Sequence, residues 1–274
     1  MKIFFLILVT FLISQNALAE GQSESIGTHN NGCMLYSAEL SKNSQDYKLP
    51  RVERGHNYGH PEMVELLEDY SYRVKQMTGK ELLIADISKK NGGPVFMLHS
   101  SHQTGLDADI WFTLYDAKQN LSSEDIKTLQ PLNMADEKGK SVSSFWGSNQ
   151  EDILKLFAQN DKVDRIFVNY NIKNYYCSKF KNEDWQKKIR PWWGHNEHFH
   201  IRLKCPKNSE ECISKGQEIK NDGCGSELAW WFSDEAKQPK SKKEAEAKLT
   251  EEQILERLPN RCKEILKDEI LEVN

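Results

Sequence analysis

The chain is read as an α+β fold, a central antiparallel sheet with peripheral helices and three disulfides, and three features point there. Val163 to Tyr170 is rich in β-branched and aromatic residues, and Phe199 to Leu203 alternates apolar with polar residues, as half-buried strands do. His60 to Met77 repeats Met63, Val64, Leu66, Leu67, Tyr70, Val74 and Met77 at helical spacing. The 6 cysteines form no C-x-x-C pair of the kind a Cys-ligated metal needs, so in an exported chain they are read as disulfides.

Export is inferred from the amino terminus. Lys2 supplies a positive charge, Ile3 to Ile13 is almost wholly apolar, and Ala17-Leu18-Ala19 has the small-x-small pattern of a cleavage site. Residues 1–19 are therefore read as a signal peptide. The run is too short to serve comfortably as a bilayer-spanning anchor. A soluble, exported mature chain with no transmembrane anchor is expected. The formal charge is −4, one unit more negative once Lys2 leaves with the leader. No long basic block precedes the tail, so nucleic acid is not an expected partner.

The remaining elements follow in order. Residues 20–32 are polar and are read as a mobile lead-in. Pro61 suits a first helical turn and Gly79 a helix end, which bounds the first helix. Leu82 to Ile87 is a short apolar strand, and Asn91-Gly92-Gly93-Pro94 a turn. Val95 to Leu98 and Ala108 to Leu114 are read as strands on either side of a loop containing Gly105. Ser122 caps a short helix reaching Leu129. Residues 131–149 form a long polar connection, and Glu151 to Ala158 is a helix ending near Asn160. One domain is expected over 20–236. Residues 237–274 are read as a charged linker and a C-terminal helix opened by the capping box Thr250-Glu251-Glu252-Gln253 and tied back by Cys262.

The chemistry lies in two windows. The first runs from His99 through His102 and Gly105 to Asp107, Asp109 and Trp111. On a strand, Asp107, Asp109 and Trp111 share one face. A buried Asp109 needs a cation or several donors, and Gly105 lets the loop fold His102 back over the strand. The second window runs from Trp192 to Leu203. His198, His200 and Arg202 point one way while Phe199, Ile201 and Leu203 point to the core. Gly194 lets His195 turn toward the same surface.

Two imidazoles and one carboxylate suit Zn2+ and leave a coordination position open, the arrangement of a catalytic rather than a structural site. The charge left on such a site lowers the pKa of bound water to about 7. His102, Asp109 and His200 are assigned the metal. His198 is assigned the base, with His195 beside it. Asp107 is read as a structural hydrogen-bonding residue. His99 stands open between an outer hydrogen-bonding role, an accessory ligand and a surface residue. Trp192, Trp193 and Tyr170 are expected to line the cleft.

Ser-x-His-x-x-Gly-x-x-x-Asp followed far downstream by His-x-His resembles the zinc peptidases that include lysostaphin-type enzymes, D-Ala-D-Ala metallopeptidases and hedgehog domains. More closely, His102-Gln103-Thr104-Gly105-Leu106-Asp107-Ala108-Asp109, Arg165-Ile166-Phe167-Val168-Asn169 and Trp193-Gly194-His195-Asn196-x-His198-Phe199-His200-Ile201-Arg202-Leu203 resemble the penicillin-insensitive murein endopeptidases. That resemblance implies a periplasmic enzyme cutting the D-Ala to meso-diaminopimelate cross-link of peptidoglycan with one catalytic Zn2+. It implies the pairs Cys33–Cys262, Cys177–Cys224 and Cys205–Cys212. It also implies an accessory metal at a subunit contact, with His99 as one ligand, and hence a homodimer; the 131–149 connection holds no His to complete that second site. Other readings are a D,D-carboxypeptidase or amidase acting on the same polymer, and a non-catalytic wall-binding protein with a structural zinc.

Overall fold

The structure, a computed structural model, describes residues 21–96, 98–214, 219–237 and 250–267. The leader, most of the linker and the end of the chain lie outside the described residues. Twelve strands occur among the described residues: β1 (Glu24–Thr28), β2 (Asn31–Leu35), β3 (Ala38–Glu39), β4 (Tyr47–Lys48), β5 (Tyr58–Gly59), β6 (Leu82–Asp86), β7 (Asp107–Trp111), β8 (Ala135–Asp136), β9 (Ser141–Val142), β10 (Val163–Asn169), β11 (Ile189–Trp192) and β12 (His198–Leu203). The helices used below are α1 (Pro61–Thr78), α2 (Ser123–Thr128), α3 (Ser148–Gln159), α4 (Tyr170–Lys179), α5 (Gly225–Trp231), α6 (Asp234–Lys237), α7 (Glu251–Glu256) and α8 (Asn260–Ile265).

Six strands form the main sheet in the order β11-β10-β12-β7-β6-β4. Its four central strands pair antiparallel, as expected from the alternation, whereas both edge pairs, β10 with β11 and β4 with β6, are parallel. The α+β fold is thus built on a mixed sheet. One sheet face is packed: Ala108, Ile110, Ile166, Val168, Phe199 and Ile201 are all fully buried against Met63, Leu67 and Val74 of α1 and Leu154 and Phe157 of α3. The other face is left for polar groups.

Local chemistry explains the helices. The His60 ring accepts the Glu62 amide at 3.2 Å and caps α1, with Pro61 following where no amide is needed. Ser122 and Asp125 cap α2 reciprocally, as Thr250 and Gln253 cap α7. The Cys33–Cys262, Cys177–Cys224 and Cys205–Cys212 pairs implied by the resemblance are all present.

Four local expectations are corrected. Residues 21–32 are not a mobile lead-in. They contribute to the β1–β2 hairpin, whose Ile26 is buried with Leu258, Cys262 and Leu266. The polar Ser25 is accommodated there because its hydroxyl donates to the Thr104 carbonyl at 2.8 Å. Val95 to Leu98 is not a strand. β6 and β7 pair directly with each other, and the segment instead turns back so that the Leu98 and His99 amides both donate to Val95 O. The strand starting at Val163 stops at Asn169, whose side chain accepts the Asn171 amide and starts α4. The 131–149 connection contains the β8–β9 hairpin.

Candidate metal centre and cleft

Strand register assembles the site. In the β7–β12 pair His200 lies opposite Asp109 and Arg202 opposite Asp107, while β10 places Phe167 opposite His200. Directly opposed residues project to the same face. A bulge between Ile84 and Asp86 brings Asp86 opposite Asp109 on the other side. A row of site residues therefore crosses four strands on the face turned away from the core. The loop from Ser88 to Leu106 folds over it. Gly105 and His102 both take left-handed backbone, with φ of 68° and 69°. A Cβ at Gly105 would lie 2.3 Å from Met34 Sδ, so only glycine fits that turn.

The hydrogen bonds fix the tautomers. His102 Nδ1 lies 2.6 Å from the Ile87 carbonyl, which can only accept, so Nδ1 carries the proton. Its Nε2 then presents a lone pair to Asp109 Oδ1 at 3.4 Å. Both atoms are buried and neither has a hydrogen-bond partner. His200 repeats the pattern: Nε2 donates to Asp107 Oδ1 at 2.8 Å and Nδ1 faces Asp109 Oδ1 at 3.1 Å. His99 does so a third time, with Nε2 on Asp86 Oδ2 at 3.1 Å and Nδ1 facing Asp109 Oδ2 at 3.5 Å.

Lone pairs aimed at a carboxylate repel unless positive charge stands between them. Separations of 3.1–3.4 Å match the roughly 3.3 Å between two ligands each about 2.0 Å from a tetrahedral ion. The donor set therefore fits a borderline dication such as Zn2+. His99, His102 and Asp109 also form a compact donor group by themselves, with ligand atoms within 4.8 Å of one another.

The electrostatics point the same way. Burial raises the Asp109 carboxyl, but the facing His102 and His198 rings outweigh it and hold the group well below the usual range. Asp107 is buried too, and Arg202, donating to it at 2.6 Å, with His200 keeps it ionised. Burial lowers the His200 pKa, and the Asp107 and Asp109 carboxylates more than reverse this: the environment calls for a cation at that ring. Asp107 accepts hydrogen bonds from His200 and Arg202, in keeping with its reading as a structural hydrogen-bonding residue.

His198 sits nearer solvent, with Nε2 3.8 Å from Asp109 Oδ1, and burial lowers its pKa. His195 follows Gly194, and both have left-handed backbone. Its Nδ1 donates to the Trp193 carbonyl at 2.8 Å, leaving Nε2 as an acceptor. Burial, then the neighbouring His198 and His200, push its pKa down to about 4, so it is neutral near pH 7. Asn169 holds this corner, donating its side-chain amide to Gly194 O at 3.0 Å and its backbone amide to His195 O at 2.9 Å. His99, His102, Asp109, His195, His198 and His200 all line one open cavity of about 470 Å³.

The model of the penicillin-insensitive murein endopeptidase family matches residues 25–267. The chain belongs to this family. It is 37% identical over 232 residues to a penicillin-insensitive murein endopeptidase of Pectobacterium atrosepticum, covering 84% of this chain and 80% of the relative. It is 38% identical over 216 residues to one from Haemophilus influenzae, covering 78% and 74%. A Salmonella paratyphi B relative with the same description is 38% identical over 214 residues, 77% of each chain.

Within this murein endopeptidase, sequence reasoning missed Asp86. Its carboxylate accepts from Arg54 at 2.6 Å, His56 at 3.2 Å and His99 at 3.1 Å, and these partners hold it far below the usual carboxylate range despite burial. His56, Asp86 and His99 form a second group with metal-compatible spacing. Arg54 already neutralises that acid, which makes the trio a hydrogen-bonded support for His99. An acid closing an apolar strand was the only sequence signal. Trp192 and Trp193 line the cavity as expected; Tyr170 does not, and packs on Trp231 and Phe232.

Proposed function

We propose that the chain is a zinc-dependent D,D-endopeptidase that hydrolyses the D-alanyl to meso-diaminopimelate cross-link of periplasmic peptidoglycan. The observation carrying the metal is the buried, unpartnered pair His102 Nε2 and Asp109 Oδ1. The relatives' shared description as murein endopeptidases supports the polymer and the endo-cleavage. His102, Asp109 and His200 would hold the ion, with His99 as a further donor. Bound there, zinc supplies Lewis acidity toward the scissile carbonyl and activates water.

The other steps belong to side chains. Asp107 and the Ile87 carbonyl keep the ligand nitrogens aimed inward. His198, on the solvent side, accepts the proton from the attacking water. His198 then returns that proton to the departing amine, while His195, neutral and pinned at Nδ1, presents its Nε2 to the cavity as an acceptor. Export through the 1–19 leader, a catalytic domain over 20–236 and a tail over 237–274 complete the reading.

The test is digestion of purified sacculi followed by mass analysis of the products. Cross-linked dimers are expected to become monomers with terminal D-Ala and glycan intact, with activity abolished by a chelator and restored by Zn2+. Loss of terminal D-Ala would instead mean a carboxypeptidase, and peptide released from glycan an amidase. Asp109→Ala is expected to lose bound zinc and turnover together.

A further inference from the structure

The cleft does not end at the histidines. Trp192 and Trp193 leave it at the end of β11, and Trp230 and Trp231 of α5 continue the wall. The Trp193 ring centroid lies 5.4 Å from Trp192, 5.9 Å from Trp230 and 4.5 Å from Trp231. Trp192, Trp193 and Trp230 are 46%, 45% and 39% exposed. Three indoles left this open on one continuous surface bury far less than such side chains can, and contiguous apolar surface of this kind marks an interaction site.

The ledge is also rigid. Trp193 Nε1 donates to the Ala236 carbonyl at 2.9 Å and Trp230 Nε1 to Glu235 Oε2 at 3.2 Å. The Cys177–Cys224 disulfide and the Arg190–Glu227 ion pair fasten α5 to α4 and β11. With the Trp193 and Trp230 N–H groups engaged inside the chain, what these two rings offer a ligand is their faces, which carry the negative side of the aromatic quadrupole. A flat partner with weakly positive C–H bonds fits. The stem peptides of murein are polar and charged and have no such face. The pyranose ring of an N-acetylhexosamine does, with its hydroxyls at the rim.

We infer that the Trp192–Trp193–Trp230 ledge is a saccharide subsite that stacks the glycan strand while the peptide cross-link enters the histidine cavity. The inference rests on the murein reading above, but it can be tested apart from hydrolysis. A β-1,4-linked N-acetylglucosamine tetramer, which has no peptide to cut, is titrated into the full-length protein while the 15N–1H signals of the seven indoles are followed.

The signals of Trp193 and Trp230 are expected to shift while those of the buried Trp185 and the enclosed Trp146 stay still. Trp230→Ala is expected to weaken binding about tenfold, and Trp230→Phe to recover most of it. Unmoved ledge signals in the wild type, or equal affinity in the folded Trp230→Ala protein, would overturn the subsite. Saccharide binding without digestion of sacculi would sink the hydrolase reading and leave the ledge standing. Digestion without saccharide binding would do the reverse.

Discussion

Asp107 and Asp86 do not face the proposed metal; each fixes a histidine that does. Replacing Asp107 with Asn removes the charge that orients His200 and pairs with Arg202. Zinc affinity, measured by competition with a chromophoric chelator, is expected to fall about 10- to 100-fold in Asp107→Asn. His198→Ala is expected to behave oppositely, retaining zinc while turnover is lost. If His198→Ala loses the ion, the division between ligand and base is wrong. His102, Asp109, His198 and His200 could be picked out in the sequence because loop glycine and strand alternation determine which way they point. Asp86 could not. Its partners come from two segments remote from it in sequence, Arg54 and His56 from one and His99 from the other, and the bulge that turns it toward Asp109 leaves no mark in the pattern Leu82-Leu83-Ile84-Ala85-Asp86.

Among the elements, those with strong local chemistry were foreseeable. α1 has its proline, its cap and Gly79; α3 and β12 have clear periodicity. β11 lacked any such signal. It is four residues long and contains Pro191, which a parallel edge position tolerates because one amide direction faces away from the sheet. α4 was hidden by the β-branched run leading into it, and it carries an unusual buried cation. Lys173 is fully buried, with Nζ donating to the Gln186 and Asp222 carbonyls at 3.0 and 2.5 Å. Burial first, then Arg190, push its pKa from 10.5 down to about 7. The unfolded chain keeps that proton up to about 10.4. Between these values the unfolded state binds more protons, so stability rises with pH through this window, by up to about 1.4 kcal/mol per pH unit. Urea midpoints at pH 7 and 9 should show this rise in the wild type, and Lys173→Met should flatten it.

At the scale of the molecule, two apolar clusters matter here. The main core fills one face of the six-stranded sheet, and a smaller one, Ile26, Cys33, Leu258, Cys262 and Leu266, packs residues 26–33 against residues 258–266. The even cysteine count announced disulfides, yet the pairing came only through the resemblance, because contacts between positions 33 and 262 depend on the finished fold. Replacing Cys33 and Cys262 with Ser is expected to cost about 2–5 kcal/mol by denaturant unfolding. The damage should spread toward the site, because the hairpin braces the loop bearing His99 and His102. Gln103 N donates to His29 O at 3.1 Å, Gly32 N to Gln103 Oε1 at 3.1 Å and Met34 N to Asn91 O at 2.9 Å. Gly92 lets this loop close tightly, since a Cβ there would lie 2.1 Å from the Gln103 carbonyl. Faster amide exchange over residues 98–104, with β10 and β12 unchanged, is the expected signature of the double Ser variant.

The Cys33–Cys262 clasp also sets an order of events during biosynthesis. Cys33 is translated 229 residues ahead of Cys262. A nascent polypeptide can build the sheet while Cys262 is still on the ribosome, but the loop bearing His99 and His102 gains its outer support only after α8 emerges. Truncation before residue 250 should therefore leave a folded body with a loosened His99–His102 segment.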